Sequence, residues 1–112
     1  MYSDVEKLLN GKRGKKVAKD TYLEFISQDE GIVMLLKGSA VAVFYQDYFR
    51  LHSAGQYSPL VLRRLNLAMH IAGLPLSARV HQHNWIWYVT GASWNLGSRF
   101  YDGMRIGYDA YR

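Results

Sequence analysis

Four short hydrophobic runs between residues 20 and 53 give the chain its clearest pattern. They read DTYLEFIS, GIVMLLKG, SAVAVFYQ and DYFRLHS, and they are rich in the β-branched and aromatic residues that favour strands. Turn-forming residues at 29–31, 37–39 and 46–47 separate the runs at the spacing typical of hairpins. The pattern predicts an antiparallel β-meander.

The alternation of apolar and polar positions assigns faces to these strands. One extended strand is expected from Val17 onward, with Leu23 and Tyr22 on opposite faces. Residues 32–36 and 40–45 are apolar on both faces, which is typical of strands that are covered on both sides or that lie in a subunit interface. A second cover is therefore expected, and a homodimer is one way to supply it.

Two helices are predicted on either side of the meander. Ser3 and Glu6 have the spacing of a capping box, which predicts a short N-terminal helix that ends near residues 10–11. The main helix is predicted over residues 59–72, because Ser58 can cap it and Pro59 suits the first helical position. Its apolar face should cover the sheet, and a polar stripe follows its opposite side. That stripe contains Arg63, Asn66 and His70.

The C-terminal part predicts further strands. Residues 76–83 and 85–90 have the pattern of a hairpin, with Trp85, Trp87 and Val89 on one face, and residues 98–108 suggest another around a central Asp-Gly turn. The predicted fold is thus a single α+β domain over residues 1–112. It consists of an antiparallel β-meander packed by one main helix, with a short N-terminal helix and a C-terminal β-hairpin region.

Composition excludes several classes of protein. The chain has no cysteine, so disulfide and thiolate chemistry are excluded. It has no long apolar run of the kind that crosses a membrane, and its N-terminal residues lack the pattern of a secretory signal. We therefore expect a cytoplasmic protein without a membrane partner.

The net charge of +5 is unevenly distributed. Residues 1–30 are balanced, whereas residues 31–112 contain three aspartates against one lysine and seven arginines. Within the balanced part, residues 11–16 form a glycine-containing basic stretch that is expected to be an exposed loop. It lies between a helix and a strand, the reverse of the order found in phosphate-binding loops, which argues against nucleotide hydrolysis. The cations of this stretch and the strand after it are Lys12, Arg13, Lys15, Lys16 and Lys19. They can contact phosphates, or they can simply be exposed to solvent without a ligand.

Aromatic and basic residues are interleaved in the C-terminal part. Trp85, Trp87, Tyr88 and Trp94 fall within ten residues, close to Arg79 and Arg99 in sequence. Such a mixture is typical of a stacking platform for single-stranded nucleic acid, of a protein interface, or of an ordinary hydrophobic core. The sequence leaves these three alternatives open.

Evidence for catalysis is weak. His81 and His83 lie two residues apart on a predicted strand, a spacing that metal sites use, but no sequence rule brings a third ligand to them. Asp47 and His52 could pair as acid and base, but no motif for an activated serine accompanies them. We therefore predict no catalytic residue, no metal and no cofactor.

Six short motifs lie in order along the chain: LLNGKRGKKVA at 8–18, TYL at 21–23, VAVF at 41–44, SAG at 53–55, RRLN at 63–66 and FYDGMRIG at 100–107. Together they resemble a family of small uncharacterised bacteriophage accessory proteins. The likeness covers most of the chain except about residues 74–98, and residues 54–59 depart from the pattern of the group. The resemblance implies a phage protein made in the host cytoplasm, without an established enzyme activity, that acts by binding.

The leading hypothesis is a non-enzymatic phage accessory protein that binds nucleic acid. Its cations are those of the basic stretch together with Arg63 and Arg64, and Arg79, Trp87 and Arg99 are secondary candidates. The alternative is a protein-binding inhibitor of a host enzyme or defence system, with exposed aromatic residues at the contact. A small metal-dependent enzyme that uses His81 and His83 is the third hypothesis.

Overall fold

The computed structural model describes residues 1–91 and 97–111, which form two helices and nine strands. In chain order the elements are α1 (Tyr2–Leu9), β1 (Gly14–Ala18), β2 (Thr21–Ser27), β3 (Gly31–Leu36), β4 (Ser39–Phe44), β5 (Tyr48–Leu51), α2 (Pro59–Ile71), β6 (Arg79–His83), β7 (Ile86–Thr90), β8 (Ser98–Arg99) and β9 (Met104–Gly107). All strand pairs are antiparallel, and they form a six-stranded sheet of order β1-β2-β3-β4-β5-β9 and a three-stranded sheet of order β6-β7-β8. The α+β class, the meander and the main helix are therefore confirmed.

The N-terminal elements differ from the prediction in two details. The predicted capping box was wrong, because α1 begins at Tyr2 with Met1 as its cap residue, and Ser3 lies inside the helix. Asp4, in place of Glu6, is the acidic capping residue, and it accepts a hydrogen bond from the Met1 amino group at 3.0 Å. The chain then forms a separate edge strand, β1, where a loop and the start of one long strand were expected. Asp20 adopts a left-handed φ of 54°, so the backbone turns there, and β1 pairs back onto β2.

The two C-terminal strands are present but do not pair with each other. Strand β8 pairs with β7, whereas β9 pairs with β5 and forms one edge of the large sheet. The pairing of β9 brings Ile106 opposite Phe49 and Met104 opposite Leu51, so its apolar side chains extend the buried face of that sheet. A local hairpin would not have buried them against these partners.

The main core lies between one face of the large sheet and the two helices. Phe44 and Phe49 are fully buried there, with ring centroids 5.7 Å apart. Helix α2 contributes Leu65 and its apolar neighbours on the same helix face, so the predicted cover over the meander is confirmed. Ser58 caps the helix through its hydroxyl, which accepts a hydrogen bond from the Val61 amide at 3.2 Å.

The opposite side of the large sheet, called the outer face below, is less covered than the sequence predicted. Val33, Leu35 and Val43 remain half-buried on it, and Tyr22 is 47% exposed. These residues fall on one face because they occupy neighbouring positions in the register of β2, β3 and β4. Within the described residues the expected full cover of this face is not found, and the homodimer stays a prediction.

Candidate nucleic-acid interface

An open groove of about 470 Å³ lies along the edge strand β1 on the outer face. Its lining residues are Arg13, Gly14, Lys15, Lys16, Tyr22, Leu23, Glu24, Leu35 and Gly38. Lys16 is paired with Tyr22, and Tyr22 with Leu35, so these three side chains form a row across adjacent strands. A positive charge, an exposed ring and an apolar side chain therefore lie side by side at this edge.

The cations around this groove are not neutralised by carboxylates. Lys12, Arg13, Lys15, Lys16 and Lys19 are all exposed. In residues 1–91 and 97–111, no lysine or arginine side chain lies within 4.0 Å of a carboxylate, since the ion pair found there joins the Met1 amino group to Asp4. Glu24 is the one acidic lining residue, against three cations. The groove thus keeps a net positive charge.

Arg64 connects the far end of β1 to helix α2. Its Nε donates to the Thr21 hydroxyl at 2.7 Å, and its guanidinium also reaches the Lys19 carbonyl at 3.3 Å. The Thr21 hydroxyl in turn donates to the same carbonyl at 2.8 Å. Arg64 is half-buried by these contacts, while Arg63 beside it is exposed. The structure therefore brings the Arg64 side chain to the Lys19 carbonyl, a contact that the sequence could not foresee.

Arg79 and Arg99 lie away from this edge, on the second sheet. Arg79 begins β6 and lines a cavity of about 260 Å³ together with His70, near the C-terminal half of α2. Arg99 lies on β8 opposite Tyr88 and lines a different cavity. The predicted cations are thus divided among three regions of the surface, and the β1 edge holds most of them.

The aromatic cluster divides into buried and exposed members. Trp87 is 5% exposed and packs against Tyr57 and Phe100, with ring centroids 4.9 Å and 5.8 Å away. Trp85 is 91% exposed, because it lies in the β6–β7 turn and not on the strand face predicted for it. For Trp87 the core interpretation therefore holds. Trp94 lies outside the described residues.

The histidine pair lacks a third metal ligand within the described part of the chain. His81 and His83 lie on one face of β6, but among the described residues no group of three or more histidines and carboxylates is placed to hold an ion. Burial raises the pKa of three phenols, those of Tyr2, Tyr108 and Tyr111. These rings pack in or against the core, and none of them lines the β1 groove.

Sequence reasoning missed two residues of these surfaces. Tyr22 was assigned to the face opposite Leu23, but its place beside the basic stretch depends on the pairing of β1 with β2. Tyr57 was not predicted as a surface residue of interest, because it lies in an irregular segment before the helix cap. Its ring contacts Trp87 of the second sheet, and 60% of its surface remains exposed. A tyrosine directly before the predicted cap residue Ser58 is the sequence signal that could have indicated it.

No described helix is both long and apolar enough to cross a membrane.

Comparison with known proteins supplies no precedent for this arrangement. Neither a protein-family model, nor a curated protein, nor a solved structure matches the chain.

Proposed function

We propose that this protein is a non-enzymatic accessory protein that binds nucleic acid through the basic edge. The basic edge is the surface formed by Lys12, Arg13, Lys15, Lys16, Lys19, Arg63 and Arg64. One observation carries the proposal: exposed cations without carboxylate partners surround an open groove that contains an exposed tyrosine. When such side chains neutralise phosphates, the cations condensed on the nucleic acid are released to solution, which favours binding.

Tyr22 favours nucleic acid over other polyanions. Its ring is 47% exposed between Lys16 and Leu35, so a base can contact the ring while a phosphate lies near the lysine. Stacking on an aromatic side chain and pairing of phosphates with cations are the two contacts by which single strands are held without sequence preference. The resemblance to phage accessory proteins suggests the host cytoplasm as the setting.

The test is the salt dependence of binding to a short single-stranded DNA. We expect affinity to fall steeply between about 50 and 200 mM salt, because each phosphate contact contributes roughly 0.7 to the logarithmic slope. The double variant Lys15→Gln/Lys16→Gln should reduce that slope by about 1.4. A matched control, Lys7→Gln/Arg105→Gln, removes the same charge from α1 and from the opposite edge of the sheet, and it should change the slope much less.

Two results would contradict the proposal. Equal loss of affinity in both double variants would mean that net charge alone attracts the polymer, without a defined surface. Binding too weak to measure at 50 mM salt would remove nucleic acid as the ligand. Fluorescence anisotropy of a labelled oligonucleotide measures both.

A second candidate function is inhibition of a host protein by direct contact. It is favoured by the exposed aromatic side chains of Tyr57, Trp85 and Tyr101, which are 60%, 91% and 59% accessible. Tyrosine and tryptophan are enriched where protein interfaces derive most of their energy. Capture of one host protein from nuclease-treated lysate, insensitive to salt and lost on Trp85→Ala, would favour this candidate over nucleic acid.

A further inference from the structure

A second cavity lies where the segment before α2 meets the small sheet. We call it the aromatic pocket; its volume is about 250 Å³ and it is lined by Tyr57, Trp85, Ile86, Trp87, Arg99 and Phe100. Four of these six residues are aromatic and one is a cation. None is acidic.

The buried part of the aromatic pocket is a fixed wall of rings. Tyr57 meets Trp87 edge-on at 4.9 Å with an interplanar angle of 64°, and it meets Phe100 at 6.3 Å and 80°. Trp87 and Phe100 pack at 5.8 Å and are each 5% exposed. Such edge-to-face contacts hold the rings in place. Tyr57 nevertheless keeps 60% of its surface exposed, so part of it remains available to a ligand.

Trp85 lies at the rim of the aromatic pocket in an unfavourable backbone conformation. Asn84 and Trp85 have φ values of 52° and 67°, which is the geometry of a two-residue hairpin turn with both central residues left-handed. Glycine is the preferred second residue of that turn, and a bulky side chain with positive φ is an outlier. The indole is also 91% exposed, so burial against the protein does not compensate for the strain. Such strain is typical of residues kept for binding.

We propose that the aromatic pocket binds one unpaired base of a single-stranded nucleic acid, with Trp85 and Tyr57 contacting the base and Arg99 its phosphate. This inference rests on the proposed function and adds a base-binding site to it. Charge complementarity favours this occupant, because an exposed arginine stands among rings that lack a neighbouring carboxylate in the lining. A duplex cannot offer an unstacked base, so the site should distinguish single strands from duplexes.

The helix α2 connects the aromatic pocket to the basic edge. Tyr57 immediately precedes the cap residue of α2. Arg63 lies four residues after Pro59, the first residue of the helix, which is a rise of about 6 Å along the helix axis. Arg64, the next residue, is bound to the β1–β2 turn through the Lys19 carbonyl. Helix α2 therefore lies between the two surfaces in the chain, and a strand that contacts both must cross it.

The decisive variant is Trp85→Gly, because it separates binding from folding. Glycine suits the left-handed turn position, so we expect the melting temperature to stay equal or rise. Affinity for a twelve-nucleotide oligothymidylate should fall about 5- to 150-fold, the loss that corresponds to one stacked base. Affinity for a duplex of equal length should not change. Tyr101→Ala, which removes another exposed ring outside the pocket, is the matched control and should leave both affinities unchanged.

Two further measurements identify the contacts. Arg99→Gln should reduce the logarithmic salt slope for the oligothymidylate by about 0.7, the contribution of one phosphate. A strand of abasic sites should bind wild type and Trp85→Gly equally, because it carries phosphates without bases. Preferential loss of abasic binding in Trp85→Gly would overturn the assignment of Trp85 to a base.

The outcomes separate this inference from the function on which it rests. Suppose that wild type binds the oligothymidylate, that Lys15→Gln/Lys16→Gln weakens this binding, and that Trp85→Gly does not weaken it. The base-binding role of the aromatic pocket is then refuted, while the proposed function stands. If wild type binds no nucleic acid, both fail. A fall in melting temperature of more than about 4 °C in Trp85→Gly would show that the indole serves the fold, and it would also overturn the inference.

Discussion

Asn66 joins helix α2 to the second sheet, and its replacement by alanine should be strongly destabilising. Its Oδ1 accepts a hydrogen bond from the Val80 amide at 2.7 Å, and its Nδ2 donates to the Val80 carbonyl at 2.9 Å. Val80 is 2% exposed, so water cannot easily replace these contacts. Two hydrogen bonds at about 1 kcal/mol each, with a further penalty for unsatisfied backbone groups, give a loss of roughly 2–4 kcal/mol. That is a large share of the 5–15 kcal/mol typical of a domain.

Urea unfolding followed by tryptophan fluorescence measures this loss, because Trp87 is buried in the second sheet. His70→Ala is the matched control: it lies one turn further along the same helix stripe but is exposed, and it should change stability by less than about 0.5 kcal/mol. Asn66→Asp should not restore stability, because its carboxylate cannot donate to the Val80 carbonyl. A loss below about 0.5 kcal/mol in Asn66→Ala would refute the reasoning, since water would then satisfy the strand equally well.

Three further predictions concern backbone space and buried phenols. Gly31→Ala should cost more than about 2 kcal/mol in thermal unfolding, because a Cβ there would lie 2.1 Å from a backbone oxygen of β4, whereas Gly38→Ala, also left-handed but unobstructed, should cost about 1 kcal/mol. Tyr2→Phe should keep or raise the unfolding free energy, because its buried hydroxyl has no partner among the described residues, while Tyr108→Phe should lose about 1 kcal/mol with the hydrogen bond to a backbone carbonyl at 2.6 Å. Because burial raises the pKa of Tyr108, the unfolded chain ionises first, so stability should fall as pH rises above about 10, and Tyr108→Phe should weaken that fall in alkaline denaturation.

The meander could be predicted because its information is local. Each strand from β2 to β5 is bounded by its own turn residues and pairs with its neighbour in sequence. The placement of β9 could not be predicted in this way. Its alternating residues suit a local hairpin and a distant partner equally well. The pairing with β5 is decided by burial of Ile106 beside Phe49 in the main core, which the local sequence does not show.

The candidate surfaces could be predicted only in part, for a related reason. Exposure of the lysines followed from composition, but their grouping with α2 depends on the contact of Arg64 with Thr21, which are 43 residues apart. Alternation placed Trp85 and Trp87 on one face, yet the turn at Asn84 begins before the strand and separates them. Asn66 was assigned only to a polar stripe opposite the apolar face of the helix, because no sequence pattern shows that a strand backbone will bind to it.

The lysines of β1 also satisfy a requirement of the fold, and this role must be separated from ligand binding. An edge strand exposes unpaired backbone groups, and lysine is a common means of preventing its association with another chain. Charge reversal separates the two roles, because Lys15→Glu/Lys16→Glu keeps the edge charged but repels phosphate. If the lysines only protect the edge, this variant should remain soluble and bind nucleic acid as wild type does. If the basic edge is the binding surface, it should remain soluble and lose binding even at low salt, where wild type binds most tightly.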